Sequence, residues 1–353
     1  MGNEIDVFAE GELEESFWKL HGPKNESVGG FFSRSFSDLM KMLTQPKRLE
    51  YSLNELQTCS EDDPPCIVDE FVVRNGETCL QCAAWMHDVN SKLCVLYLHT
   101  NTRALVDAKE VLPFCNELGA NLIAFDLPGC GKSGGHLSFS MVKDLSAVVD
   151  YIMERYEYNE VIIWARGMST AIAIEYCSKL NLPKYIKFVV LDSPFISVKQ
   201  MVKDATQSVT AYGVHIPQRA LLLCASVIRK TLRSRLGSDP YAVVPMDFVP
   251  GLKIPGHVLS ALEDDYMPPH HGRAIAGSWG QSEEGNERRS RCCFSSYRGR
   301  HFGERGINVV SLPLENARRA VRYHPQSIQE TLQQSIGLSI RSYRSSPALK
   351  GMC

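Results

Sequence analysis

Three short segments of this 353-residue chain hold residue types that do chemistry, and each follows an apolar run. LCVLYL (93–98) is followed by His99-Thr100-Asn101, LIAF (122–125) by Asp126-Leu-Pro-Gly129-Cys-Gly131-Lys-Ser133-Gly-Gly135, and VIIW (161–164) by Ala165-Arg166-Gly167-Met168-Ser169. In an open α/β sheet, ligands bind just beyond the carboxyl ends of the strands, so these are the positions to read first. The third is the place of a nucleophile elbow, G-x-S-x-G, where a serine on a sharp strand-to-helix turn attacks a carbonyl. The first suits a loop whose backbone N–H meets the developing oxyanion, or else is an ordinary strand-to-helix connection. The glycines of the second permit a tight loop passing close to other backbone. Two nucleotide readings of that loop fail. GCGKS lacks the first glycine of a Walker A loop, and the run comes too late in the chain to open a Rossmann unit.

The elements that position these segments alternate. Ile67–Val73 and Cys79–Trp85 flank Asn75-Gly76, a hairpin signal. Strand Leu93–Leu98, a helix marked by Ala108, Val111, Leu112, Cys115 and Leu118, and strand Leu122–Phe125 follow. A helix with its face at Leu145, Val148, Val149, Ile152 and Tyr156, strand Val161–Trp164, helix Ala171–Tyr176 and strand Phe188–Leu191 complete the rhythm. Such alternation demands a mainly parallel sheet with helices on both faces, edged by the antiparallel hairpin. The pattern breaks over about 197–250, which reads as a small helical cap, and resumes with strands at Ile254–Leu262 and Cys292–Tyr297. Residues 1–60 read as an N-terminal extension packing on a domain of residues 61–335. Residues 277–291 read as a surface insertion and 336–353 as a polar tail.

Taken together, the motifs resemble those of the α/β-hydrolase superfamily, and within it the plant and protist serine aminopeptidase-like (S33-type) hydrolases. That group shows a strand ending in His-Gly-Asn, then D-x-x-G-x-G-x-S-x-G, W-G-R-S-M-G, L-D-S-P-F, D-D-x-[IV]-x-P-H-H and G-x-H-N-x-x-R. Here these stand as His99-Thr100-Asn101, Asp126–Gly135, Trp164–Ser169, Leu191–Phe195, Asp264–His271 and Gly299–Arg305. The resemblance covers roughly Phe71–Arg305 and implies an α/β-hydrolase fold with an eight-stranded, mostly parallel sheet. It implies hydrolysis of an ester, thioester or amide by Ser, His and Asp, with Asp264 as the acid and His301 as the base. Backbone N–H groups of Met168 and the Asn101 loop would hold the oxyanion, and no metal or cofactor is required. Asp192 is the rival acid and His324 the weaker histidine; His270 and His271 read as structural.

The departures fall where chemistry would be. The nucleophile position holds Gly167, its flanking glycines are Ala165 and Ser169, and Thr100 and Phe302 replace the family's Gly and Asn. Gly167 has no side chain to attack with, so the reading is a degenerate hydrolase that keeps its fold and a pocket for a small acyl ester or amide. One alternative is an active serine hydrolase using Ser169, because Gly167-Met168-Ser169-Thr170-Ala171 itself reads G-x-S-x-A. Ser169 would otherwise face some 200° away from the elbow, at about 100° per residue. Another alternative is a scaffold that presents the cap, roughly Met201–Pro250, to a protein partner.

Composition narrows the rest. The net charge of −2 gives no reason to expect a nucleic-acid partner. The 12 cysteines have no framework spacing and the acidic N-terminus is no secretory signal, so a reducing, cytoplasmic setting is expected. The Cys79/Cys82 pair reads as packed strand cysteines rather than a zinc site. Asp6 departs from the myristoylation pattern that Met1-Gly2 begins. The apolar run Ala220–Ile228 is too short to span a bilayer.

Overall fold

The computed structural model describes residues 7–8, 48–57, 66–138, 141–211, 218–237, 239–281 and 291–321. Most of the expected N-terminal extension, the Met1-Gly2 terminus, most of the 277–291 insertion, His324 and the tail lie outside the described residues.

Eight strands form the expected sheet: β2 (Ile67–Asn75), β3 (Thr78–Met86), β4 (Leu93–Leu98), β5 (Asn121–Phe125), β6 (Glu160–Arg166), β7 (Ile186–Asp192), β8 (Gly256–Ala261) and β9 (Cys292–Arg298). A two-residue strand, β1 (Val7–Phe8), joins the edge parallel to β9. The order is β1-β9-β8-β7-β6-β4-β5-β3-β2, parallel except at β2–β3 and β3–β5. The hairpin turns at Gly76, whose φ of 58° is open to glycine without strain.

The continuous apolar runs are central strands covered on both faces, and the side-chain period of two sorts them into two cores. On β4, Cys94, Leu96 and Leu98 join one core, with Val148 and Ile152 of the helix Val142–Tyr156. Leu93, Val95 and Tyr97 join the other, with Phe114 and Trp164. The expected single helix around Ala108–Leu118 is instead a 3-10 helix (Leu105–Val111) running into an α-helix (Leu112–Leu118). Pro113 stands in the first turn of the α-segment, where its missing N–H costs nothing. The strand expected at Ile254–Leu262 is shorter, because Pro255 precedes it and cannot donate to the ladder.

From β4 the chain steps to β5 on one side, then crosses back to β6 on the other. This reversal puts the ends of β4 and β6 side by side, which is where an open α/β sheet builds its crevice. Beyond β7 the chain leaves the sheet for two helices, Val198–Ala211 and Gln218–Leu236, and three 3-10 turns, in the span expected to form the cap.

His257 on β8 is buried between the hydroxyl of Ser295 at 2.9 Å and Asn316 at 3.1 Å. Burial pushes its pKa down from 6.5 to about 4. The folded protein therefore holds this ring neutral, while the unfolded chain takes up a proton below about pH 6.5. The resulting stability is complete above that pH and is lost as the pH falls toward 4, by roughly 3 kcal/mol. Urea unfolding across that window should show a slope that flattens in His257→Gln, whatever that variant costs at pH 7.

Candidate functional site

β6 is buried along its whole length and ends at Arg166. Gly167 then takes φ 59° and donates its N–H to the Asp192 carbonyl at 2.8 Å, and the helix Ser169–Cys177 begins two residues later. A strand, one left-handed residue and an immediate helix are the parts of a nucleophile elbow. The turn is therefore centred on residue 167.

Asp264 and His301 come from the loops after β8 and β9. His301 Nδ1 lies 2.7 Å from Asp264 Oδ2, with both side chains buried. The other oxygen of Asp264 accepts the backbone N–H groups of Tyr266 at 2.9 Å and Met267 at 2.7 Å. Burial alone would push the Asp264 carboxyl up. The facing His301 ring and these hydrogen bonds outweigh it and hold the group below the ordinary carboxylate range. The opposite edge of the ring faces the elbow: a β-carbon on Gly167 would stand 3.2 Å from His301 Nε2. The structure thus brings Gly167, His301 and Asp264 together.

A second residue occupies the same place. That β-carbon would lie 2.6 Å from Thr100 Oγ1 and 3.1 Å from Thr100 Cβ. Thr100, at the position where the resembling hydrolases carry glycine, fills the space beside the elbow. Its hydroxyl donates to Asn101 Oδ1 at 3.2 Å. The loop that carries it is anchored by His99, whose Nε2 accepts the Leu127 N–H at 3.0 Å. Asn101 itself is buried, and its carbonyl accepts the Cys130 thiol at 3.4 Å. Met168 caps the helix that follows the elbow, where first-turn N–H groups have no partner within the helix.

Ser169 lies elsewhere. It is fully buried and donates its hydroxyl to the His99 carbonyl. Asp192 is likewise committed, accepting from Arg305 Nε at 2.7 Å and from the Tyr297 hydroxyl at 3.0 Å. His271 sits in the helix Pro269–Ser278 and accepts the Ile196 N–H on Nδ1 at 3.2 Å.

Two arginines escaped the reading of the sequence as functional residues. Arg166 grips Glu110 with one nitrogen at 2.8 and 3.0 Å, and reaches the carbonyls of His301 at 3.1 Å and Gly303 at 2.6 Å. Arg305 adds a bond to the His301 carbonyl at 3.3 Å while pairing with Asp192. Burial opposes the charge on Asp192, but Arg305 and Arg166 overcome it and keep its carboxyl below the ordinary range. Both arginines were visible only as fixed letters of the W-x-R and G-x-H-x-x-x-R patterns.

Among the described residues, one trio has the types and proximity for a metal ion: Asp204, His270 and His271. His270 Nε2 and His271 Nε2 lie 3.2 and 3.0 Å from Asp204 Oδ2. The trio is better suited to hydrogen bonding. His271 Nδ1 already accepts a backbone N–H, so a neutral ring carries its proton on Nε2 and has no lone pair there for a metal. Asp204 also receives the Gln200 amide of its own helix at 2.9 Å, and its contacts with His270 and His271 join the helix Val198–Ala211 to the helix Pro269–Ser278.

The comparisons with known proteins agree with this architecture. The family model for the alpha/beta hydrolase fold matches residues 94–226. The esterase Pf2001 of Pyrococcus furiosus superposes with a TM-score of 0.53 at 17% identity, over 78% of this chain and 94% of the esterase. Est1E of Butyrivibrio proteoclasticus superposes at 0.52 with 15% identity, over 71% and 98%. The family match and the superpositions agree on an α/β-hydrolase fold for this chain. Lysophosphatidylserine lipase ABHD12 of Macaca fascicularis is 31% identical over 134 residues, 35% of this chain and 33% of the lipase. A mimivirus protein, R595 of Acanthamoeba polyphaga mimivirus, is 25% identical over 183 residues, 49% of this chain and 55% of that protein. This chain thus matches only about a third of the lipase's length.

A β-carbon at Gly167 meets both a left-handed backbone and Thr100. Gly167→Ala should cost about 1–3 kcal/mol in denaturant unfolding. Part of that loss should be recovered when Thr100→Gly is combined with it, so the double-mutant cycle should show a favourable coupling.

Proposed function

We propose that this chain is a catalytically degenerate α/β hydrolase that binds a small acyl ester or amide without forming an acyl-enzyme. The supporting observation is the absence of a side chain at the elbow. Gly167 offers nothing to attack with, yet the place its β-carbon would take is 3.2 Å from His301 Nε2, and Asp264 holds the far side of the same ring. A serine protein without its serine retains only what binding and the oxyanion donors supply. The backbone N–H of Met168 and the Asn101 loop are those donors in this reading, Asp264 orients His301, and no metal or cofactor takes part. Ser169, buried against the His99 carbonyl, takes no part either.

The ligand we assign is an apolar acyl chain on a carboxylic ester. Met168, Phe195, Met201, Ile228, Leu232 and Tyr266 form one apolar cluster between the elbow and the cap. The rings of Tyr266 and Phe302 pack against His301 at 5.4 and 4.7 Å. The name of the lysophosphatidylserine lipase relatives, matched over a third of their length, favours the same class. Within the superfamily we group the chain with the S33-type hydrolases on its motifs. We place it in the cytoplasm, because nine cysteines between Cys66 and Cys293 are free thiols. No helix among the described residues is long and apolar enough to cross a membrane.

Fluorophosphonate labelling of the purified protein, read by intact mass and peptide mapping, tests the proposal. The expected result is no adduct, together with binding of a long-chain acyl ester probe that weakens in Tyr266→Ala. An adduct on Ser169, lost in His301→Gln, would mean a working serine hydrolase.

A further inference from the structure

The chain as a whole carries a net charge of −2, yet residues 198–236, which span both cap helices, hold seven Lys and Arg against the single Asp204. That carboxylate is already engaged by Gln200, His270 and His271. The second cap helix, Gln218–Leu236, contains no acidic residue. Its inner side is fixed: Ile228 and Leu232 are buried in the apolar cluster above the elbow. Its outer side is a stripe at helical spacing, Arg219, Leu223, Ser226, Lys230 and Arg233, with Val227 beside it, and all six are exposed. Leu223 is 66% exposed and Val227 44%. Arg229 lies off the stripe and is neutralised by Asp239.

A solvent-facing helix surface of cations interleaved with large apolar side chains, and no carboxylate, has a specific physical preference. The cations favour an anionic surface, and the apolar side chains lose contact with water only if that surface has an apolar interior. A soluble phosphate would satisfy the first demand and not the second. We infer that the outer face of the second cap helix docks on an anionic lipid surface, with Leu223 and Val227 inserted at the acyl boundary and Arg219, Lys230 and Arg233 among the headgroups. The opposite face of the same helix lines the apolar cluster at the site, so docking would set that cluster directly above the bilayer. This surface acts whether or not the site turns over substrate.

Flotation of the full-length protein with vesicles tests this. Vesicles of phosphatidylcholine mixed with phosphatidylserine should carry the protein, and phosphatidylcholine alone should not. A cation near such a surface is worth about fivefold in affinity, so Lys230→Glu/Arg233→Glu should weaken binding by at least about twentyfold. Leu223→Ser/Val227→Ser should also weaken it, while the thermal midpoint of both variants stays at the wild-type value because all four side chains are exposed. Equal flotation with neutral vesicles, no flotation with either, or wild-type binding by the Glu variant would overturn the inference. So would tight binding to heparin without vesicle binding, which would assign the stripe to a soluble polyanion.

Discussion

The geometry around His301 depends on a set of four charges, three of them buried and Glu110 partly so. Glu110, Arg166, Asp192 and Arg305 come from a helix, the ends of two strands and a loop, and they interlock beneath His301. Such a cluster gains little net stability over an apolar replacement, but removing one member strands a buried charge. Its value here is geometric. Arg166 and Arg305 spend donors on the backbone carbonyls of His301 and Gly303, so the loop carrying the histidine is tied to the end of β6, where Gly167 sits. The backbone of the loop that carries His301 is therefore held by a network that includes neither Gly167 nor Asp264.

Each part of this arrangement has its own supports. Asp264 is held by two backbone N–H groups and His301, His301 by Asp264 and the arginines, and the elbow turn by the sheet. None of these needs a side chain at 167. Thr100 takes up the space that a side chain at 167 would need. Residues 67 positions apart in sequence thus compete for one place in three dimensions.

Much of this was legible in the sequence. Apolar runs of four to six residues gave the central strands, because strands covered on both faces need no polar residue. The positions just after β4, β6, β8 and β9 gave the candidate residues, because an α/β sheet works at its carboxyl edge. Some features could not be read. The change from 3-10 to α-helix at Leu112, just before Pro113, leaves no mark in the apolar spacing. Arg166 and Arg305 act through backbone carbonyls, which carry no sequence signal. Thr100 reads as a tolerated replacement until the sheet sets it against Gly167. The cap's outer stripe was hidden because periodicity marks the two faces of a helix without saying which one is buried.

The central claim is that residue 167 is the nucleophile position and that Thr100 fills its space. The most direct measurement compares fluorophosphonate labelling of Gly167→Ser with that of Thr100→Gly/Gly167→Ser. The account predicts little or no adduct in the single variant, a stable adduct on residue 167 in the double variant, and its loss when His301→Gln is added. Full labelling of the single variant would show that Thr100 obstructs nothing. No labelling of a folded double variant would contradict the placement of the elbow against His301.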